Sequence, residues 1–436
     1  MQEHPSSADD DFAVAHREWL RERVAHYLGR PVPDTAPLDE EGFDSVAALS
    51  LYGDIEDEFG TLIDPEDIWT YPTVRELAGF LAMRDSRRDA GRVRAAFVFT
   101  GQGSQHPGMT AGLHLHSTGY RTFLEEADAA LLPHTRQSMA ELILGGDPRI
   151  HRTALAQPAL FAVGYALART LQEAGVQPVA VLGHGIGEFA AATVAGALTL
   201  DDAAGLVSLR GASMQRLPPG GGMMATCVTP REAAELVAGE PDVGIGAVNA
   251  AKSVVLSGDR AALERIEAVL AERHVRCRYL AVAHAFHSPL MRSMVPGFEA
   301  VLRRLPGGAP RLPFYSTVYG RLATEPLYAP YWAEQITSPV RFADAARSML
   351  AQQAPTHVVE IGPRAVLTPY LRRMGGGRRG PVCLPVCQGP GSDAVDLAGV
   401  ISALDAGPLT AAFPGVEDSG VRDNGVRDNG ARDGGA

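Results

Sequence analysis

The segment Val181-Leu182-Gly183-His184-Gly185-Ile186-Gly187-Glu188 constrains the fold of this chain more than any other. An apolar run, Val179 to Leu182, leads into it, and Glu188-Phe189-Ala190-Ala191-Ala192 follows with helical character. That is the strand, tight turn and helix of a nucleophile elbow, G-x-S-x-G, with glycine in the serine position. Such a turn forces its central residue into a strained backbone conformation and pushes that side chain into a cleft. Gly183 and Gly187 give the turn room, and Gly185 takes the strained position at little cost. The turn for covalent catalysis is present without its hydroxyl.

Other segments fall in a fixed order around it. Gly101-Gln102-Gly103-Ser104-Gln105 follows the apolar strand Ala95 to Phe99, and Arg210 lies 25 positions after Gly185. His284-Ala285-Phe286-His287 comes next, then Tyr331-Trp332-Ala333-Glu334-Gln335, Pro339-Val340-Arg341-Phe342 and Glu360-Ile361-Gly362-Pro363. This set resembles the malonyl-CoA:acyl-carrier-protein transacylases and the acyltransferase domains of polyketide synthases, over roughly residues 95–375. Upstream, Leu38-Asp39-Glu40-Glu41-Gly42-Phe43-Asp44-Ser45-Val46 resembles the Asp-Ser-Leu segment of an acyl carrier protein. Ser45 reads as the N-cap of a helix with Val46, Leu49, Ile55 and Phe59 at helical spacing. Ile63, Trp69, Tyr71-Pro72-Thr73-Val74 and Leu77 continue the carrier pattern, while Ser50 stands where many carriers have an acidic residue.

The resemblance implies an all-α four-helix carrier domain over 11–84 and a linker over 85–94. An α/β acyltransferase then spans 95–375, with a hydrolase-like parallel sheet. Alternating strands and helices from Ala95 fit that sheet. Within it, residues 222–283 read as β-α-β-β-α-β, an inserted ferredoxin-like subdomain. A linker over 376–413 contains a helix from Asp393 to Leu404. The end repeats with a period of five (Gly415, Gly420, Gly425, Gly430) and has almost nothing apolar to bury, so 414–436 reads as a disordered tail.

The resemblance also assigns roles. Ser45 carries covalent 4′-phosphopantetheine, and an acyl-coenzyme A such as malonyl-CoA is the substrate. His287 is the base. The backbone N–H groups of Gln102 and Ile186 form the oxyanion hole. Arg210 grips the free carboxylate of a malonyl group, since a guanidinium binds a carboxylate through two parallel hydrogen bonds. Gln335 lies at the active site and Asn249 borders the pocket. Phe286 fills the space a branched malonyl unit needs, as in malonyl-selective members. His184 has a structural role, and Ser104 and Ser288 belong to other motifs off the elbow. A phosphopantetheinyl transferase and a ketosynthase or other synthase modules are the implied partners.

Gly185 leaves three readings open. The chain is a transferase, engineered or variant, whose serine was replaced. It is a non-catalytic binder of acyl groups and carriers. Or His287 drives direct thiol transfer, or hydrolysis, without an acyl-enzyme.

Charge separates the two parts. Residues 1–84 hold 19 acidic side chains against 6 arginines, a net −13, and the remainder carries +1. An acidic carrier suits docking on basic partner surfaces and excludes a nucleic-acid-binding role. Four cysteines in 436 residues point to a reducing compartment and free, mostly buried thiols. Cys383 and Cys387 lack a second ligand pair, so no zinc site is expected. The polar start and the absence of a long apolar run give the expectation of a cytoplasmic protein with no membrane span.

Overall fold

The structure, a computed structural model, describes residues 7–59, 67–81, 93–303, 307–375 and 380–404. The expected tail over 414–436, most of the 85–94 linker and Ile63 lie outside the described residues. The chain divides into two compact units, Met1–Arg92 and Val93–Ala436.

In the first unit, helices Ser7–Leu28, Ser45–Phe59 and Asp67–Thr70 are joined by a helical stretch over 74–81. Leu20, Val24, Leu38, Phe43, Leu51, Ile55, Val74, Leu77 and Leu81 form its core. Trp19 and Leu28 pack against that core without being fully buried. The capping reading needs correction. Asp44, not Ser45, caps the second helix: its Oδ1 accepts from the amides of Val46 (3.0 Å) and Ala47 (2.9 Å). A carboxylate there also complements the positive end of the helix. Ser45 is the first helical residue, and its side chain is left exposed.

Two sheets organise the second unit. Strands β1 (Ala95–Phe99) and β2 (Ala180–Gly183) are entirely buried, as central parallel strands covered by helices on both faces must be. The antiparallel small sheet uses β3 (Gly221–Thr226), β4 (Val243–Ala250), β5 (Ser253–Asp259) and β6 (Cys277–Tyr279), in the order β4-β5-β3-β6. Helices Pro230–Val237 and Arg260–Glu272 complete a β-α-β-β-α-β connectivity. Met224, Val254, Leu256, Ala233, Leu263 and Ile266 form its own core. The large sheet adds β7 (Phe314–Ser316), β8 (Arg321–Leu322), β9 (His357–Ile361) and β10 (Val382–Pro385). Its order is β10-β9-β1-β2-β7-β8, parallel except for the edge pair β7-β8. Val340 and Arg341 link the two sheets: the Val340 amide donates to Gly246 O and its carbonyl accepts from Val248 N, both at 2.9 Å, and the Arg341 amide donates to Thr317 O, just after β7, at 2.8 Å.

The four cysteines are free. Cys383 and Cys387 are buried, Cys277 is half-buried and Cys227 is exposed, so the thiols are less uniformly buried than their sparse use implied. No cluster of metal-ligating side chains occurs among the described residues, and no described helix is long and apolar enough to cross a membrane.

The turn after β2 sets the tightest packing. A Cβ on Gly183 would lie 2.2 Å from Glu188 N, and one on Gly187 would lie 2.6 Å from Phe99 O. Gly183→Ala therefore overpacks backbone against backbone and is expected to cost about 3 kcal/mol. Gly185→Ala meets only an ordinary contact and adds roughly 1–2 kcal/mol of left-handed backbone strain. Urea unfolding of both variants checks this ordering, and equal destabilisation would contradict it.

Candidate active site

β2 ends at Gly183 and a helix begins at Gly187, leaving three residues for the reversal. Gly185 sits at φ +56°, the left-handed region. The turn is closed by Gly187 N donating to His184 O (3.0 Å) and Glu188 N to Gly185 O (3.1 Å). Gln335 Nε2 donates a further hydrogen bond to Gly185 O, at 2.8 Å. A Cβ placed on Gly185 would meet one atom within 4 Å, His287 Nε2, at 3.4 Å. A serine side chain there would start in contact with an imidazole nitrogen.

His287 is itself held at φ +58°, which for a residue other than glycine marks strain kept by its surroundings. Its Nδ1 lies 3.0 Å from Ser338 O. A carbonyl can only accept, so Nδ1 carries the proton and the neutral ring keeps its lone pair on Nε2, facing Gly185. Burial, then the charge of Arg210, then His184, pull the His287 pKa down to about 3. The ring is therefore neutral at physiological pH. His184 points the other way, its Nε2 lying 2.9 Å from Asn249 Oδ1, and burial lowers its pKa too.

Arg210 lies on the helix Leu200–Gln215 and is 2% exposed. Its Nη1 donates to Gln157 Oε1 at 2.9 Å, while Nε and Nη2 have no partner among the described residues. Burial lowers its pKa to about 10, which still leaves it charged at neutral pH. A buried cation with two unused donors is a socket for an anion, since unmade buried hydrogen bonds cost about 1–3 kcal/mol each. Gln157 also donates to Gln102 Oε1 (3.3 Å), and Gln102 Nε2 to Thr153 Oγ1 (3.4 Å). The Gly-rich loop is thus tied to Arg210 through one glutamine.

The structure brings Gly185, Ile186, His287 and Gln335 together at the turn, and links Gln102 and Arg210 through Gln157. Asn249 reaches this region through His184. Phe286 is buried beside His287, its carbonyl accepting from Ser257 Oγ at 2.6 Å. The two other serines are committed elsewhere: Ser104 Oγ donates to Gly101 O (2.9 Å) and Ser288 Oγ to Ala285 O (2.6 Å). Ser45 belongs to the first unit.

Three participants were missed in the sequence. Gln157 sits in Ala156-Gln157-Pro158, which carries no charge or metal signature. Ser338 acts through its carbonyl, which no side-chain pattern reveals. Glu188 follows the turn directly and is fully buried, accepting from Thr317 N (2.7 Å) and Tyr331 OH (3.0 Å). Burial pushes its pKa up to about 7.

The lowered His287 pKa has a sign that can be checked. Between about 3 and its ordinary 6.5, the unfolded chain holds the proton and the folded chain does not. Acidification through that window therefore weakens the fold. His287→Gln removes this contribution, so its stability falls less steeply with acid than that of the parent chain. The ring nitrogens of His287 should show no titration by NMR from about pH 5 to 8. A midpoint inside that range would contradict the burial argument.

Comparison with known proteins gives the family. The acyl transferase domain family matches residues 96–383, and the phosphopantetheine attachment site family matches 18–81. The chain is 41% identical over 305 residues to the polyketide synthase GfsB of Streptomyces halstedii, covering 67% of this chain and 6% of that protein. It is 39% identical over 339 residues to the phenolphthiocerol synthesis polyketide synthase Pks15/1 of Mycobacterium marinum, covering 75% and 16%. It thus spans a small part of the curated relatives it matches. Among solved structures, the acyltransferase domain from the second module of the salinomycin polyketide synthase aligns with a TM-score of 0.67 at 36% identity, covering 74% of this chain and 78% of that one. A loading acyltransferase from the avermectin synthase aligns at 0.66 and 34%, covering 71% and 99%. The phosphopantetheine attachment match brings with it a covalent 4′-phosphopantetheine cofactor. This chain belongs to the acyl transferase domain family, of the type I polyketide synthase kind, and carries a phosphopantetheine-binding domain ahead of it.

Proposed function

We propose that the second unit binds a malonyl-type acyl thioester in a transferase site complete but for its nucleophile, and that no acyl-serine forms there. One observation carries the reading. The space for a side chain at Gly185 ends on the lone pair of a neutral, oriented imidazole. In this reading Arg210 holds the free carboxylate of the acyl group, using the donors left by Gln157. The Gln102 and Ile186 amides, neither of which makes a backbone hydrogen bond among the described residues, receive the thioester oxygen. Gln335 fixes the turn, Asn249 keeps His184 turned away, and Phe286 restricts the acyl group to unbranched malonyl. A methyl's exclusion is worth only a few kcal/mol, so Phe286 sets a preference.

The first unit is read as a four-helix carrier with 4′-phosphopantetheine on Ser45, loaded by a phosphopantetheinyl transferase. The exposed Ser45, beside a Val46 that is 74% exposed, leaves room for that group. When bound, the group supplies a thiol on a long arm. Malonyl-CoA and ketosynthase or related modules are the proposed partners. Free, sparse cysteines favour a reducing, cytoplasmic setting.

A second reading draws on His287 Nε2, which faces Gly185. His287 accepts the proton of a thiol or water that attacks the bound thioester directly, and returns it to the departing sulfur. A thiol, already acidic, needs least help.

Intact-mass measurement after incubation with malonyl-CoA tests the proposal. Gly185→Ser is expected to gain one malonyl group on Ser at 185 that the parent chain does not gain there. His287→Ala in that background should slow acylation by about 10²–10⁴-fold. A folded Gly185→Ser that stays unacylated would overturn the claim that the site is otherwise complete. Consumption of malonyl-CoA by the parent chain, lost in His287→Ala, would select the second reading.

A further inference from the structure

Glu188 is a fully buried carboxyl at the second position of the helix Gly187–Val194. Its Oε1 accepts from Thr317 N and Tyr331 OH, while Oε2 has no partner among the described residues. An ionised carboxylate has roughly four acceptor sites, so this one is half satisfied. The Gln335 side chain also acts on the carboxyl, and Gln335 Oε1 is a second buried acceptor without a partner. A proton on Glu188 Oε2 is the donor that this pair of acceptors lacks. Gln335 Nε2 in turn holds Gly185 O, so one glutamine connects the carboxyl with the turn.

The charged and titratable groups around Glu188 divide into fixed and variable ones. Arg210, on the helix Leu200–Gln215, feels its charge. The two are not hydrogen-bonded to each other, since Glu188 Oε2 and Arg210 Nε and Nη2 all lack partners. Tyr331, on the helix Ala329–Thr337, and Tyr319, just past β7, are phenols whose pKa burial raises, so both stay neutral near pH 7. Arg210 stays charged there and His287 neutral. Glu188, brought by burial to about 7, is the group of this set that changes charge around neutrality.

A malonyl carboxylate on Arg210 enters this field. Two anions beside one guanidinium repel, and the one able to take a proton does so. We infer that Glu188 is a proton-linked positioning residue of the Arg210 socket: its Oε2 takes a proton from solvent when a malonyl carboxylate binds, and its ionised form weakens that binding. The inference rests on the reading of Arg210 as the holder of the acyl carboxylate. Its sign is fixed. Below about 7 Glu188 already holds its proton, and affinity is flat. Above that, affinity falls by at most about tenfold per pH unit, the limit for one linked proton.

Calorimetric titration of the full chain with malonyl-CoA and with acetyl-CoA tests it, at about pH 6, 7 and 8.5 in buffers of different ionisation enthalpy. The two thioesters share their phosphates, so their difference cancels proton exchange on the coenzyme. At the highest pH malonyl-CoA should take up to about one proton more than acetyl-CoA, and its advantage in affinity should shrink about tenfold from the lowest pH. Glu188→Gln still offers an oxygen to Thr317 and Tyr331. It should abolish the uptake and the pH dependence, and bind malonyl-CoA several-fold more tightly than the parent chain at about pH 8.5 while matching it at about pH 6. A role in packing alone predicts the same change at both. If Glu188→Gln does not fold, proton uptake by the parent chain decides. An Arg210-dependent malonyl preference that is flat with pH and takes up no proton would overturn the inference and leave the binding reading standing. The absence of any malonyl preference at every pH would overturn both. A folded Glu188→Gln that keeps the parent's pH slope would also overturn the inference.

Discussion

Everything at the candidate active site hangs from the reversal between β2 and the helix that follows. Three residues turn the chain, and the backbone of Glu188 passes so close to Gly183 that no side chain fits between them. Gly187 is pressed against the carbonyls of Phe99 and Thr100, which locks the turn onto β1. The same compression fixes the direction of the Gly185 Cα–Cβ vector toward His287. Gln335 and Ser338, from the far end of the chain, then hold the turn and the imidazole in register. The turn is thus specified by the close packing of Gly183 and Gly187, while Gly185 itself meets only His287 Nε2 within 4 Å.

Electrostatics explain why the site keeps its character. Arg210 remains charged despite burial, and its charge helps to keep His287 neutral. A neutral imidazole whose Nδ1–H donates to the Ser338 carbonyl presents its Nε2 lone pair to Gly185, ready to accept a proton. Two orphaned N–H groups on a buried guanidinium are a standing cost that an incoming carboxylate removes. Arg210 keeps its hydrogen bond to Gln157 Oε1 while these two donors stay unused.

Much of this was readable from residues alone, and the exceptions have physical causes. The turn was legible because its glycines obey steric rules tied to fixed spacing, and the expected β-α-β-β-α-β order over 222–283 is the order of elements in the small sheet. Asp44 displaced Ser45 as a cap because a carboxylate can serve two amides at once, a competition that propensity alone does not resolve. Gln157 and Ser338 stayed hidden because one is a neutral side chain in an apolar helix and the other acts through its backbone. Glu188 was visible as a letter, but its burial became apparent only once Thr317 and Tyr331 were brought to it by the fold.

The central claim is that a dicarboxylic acyl thioester still has a place here although the nucleophile is gone. The direct test is equilibrium titration of the parent chain with malonyl-CoA and, separately, acetyl-CoA, each repeated on Arg210→Ala. The account predicts that malonyl-CoA binds more tightly by about tenfold or more, the scale of a charge-assisted contact, and that Arg210→Ala erases the difference. Equal affinities in the parent chain would contradict it.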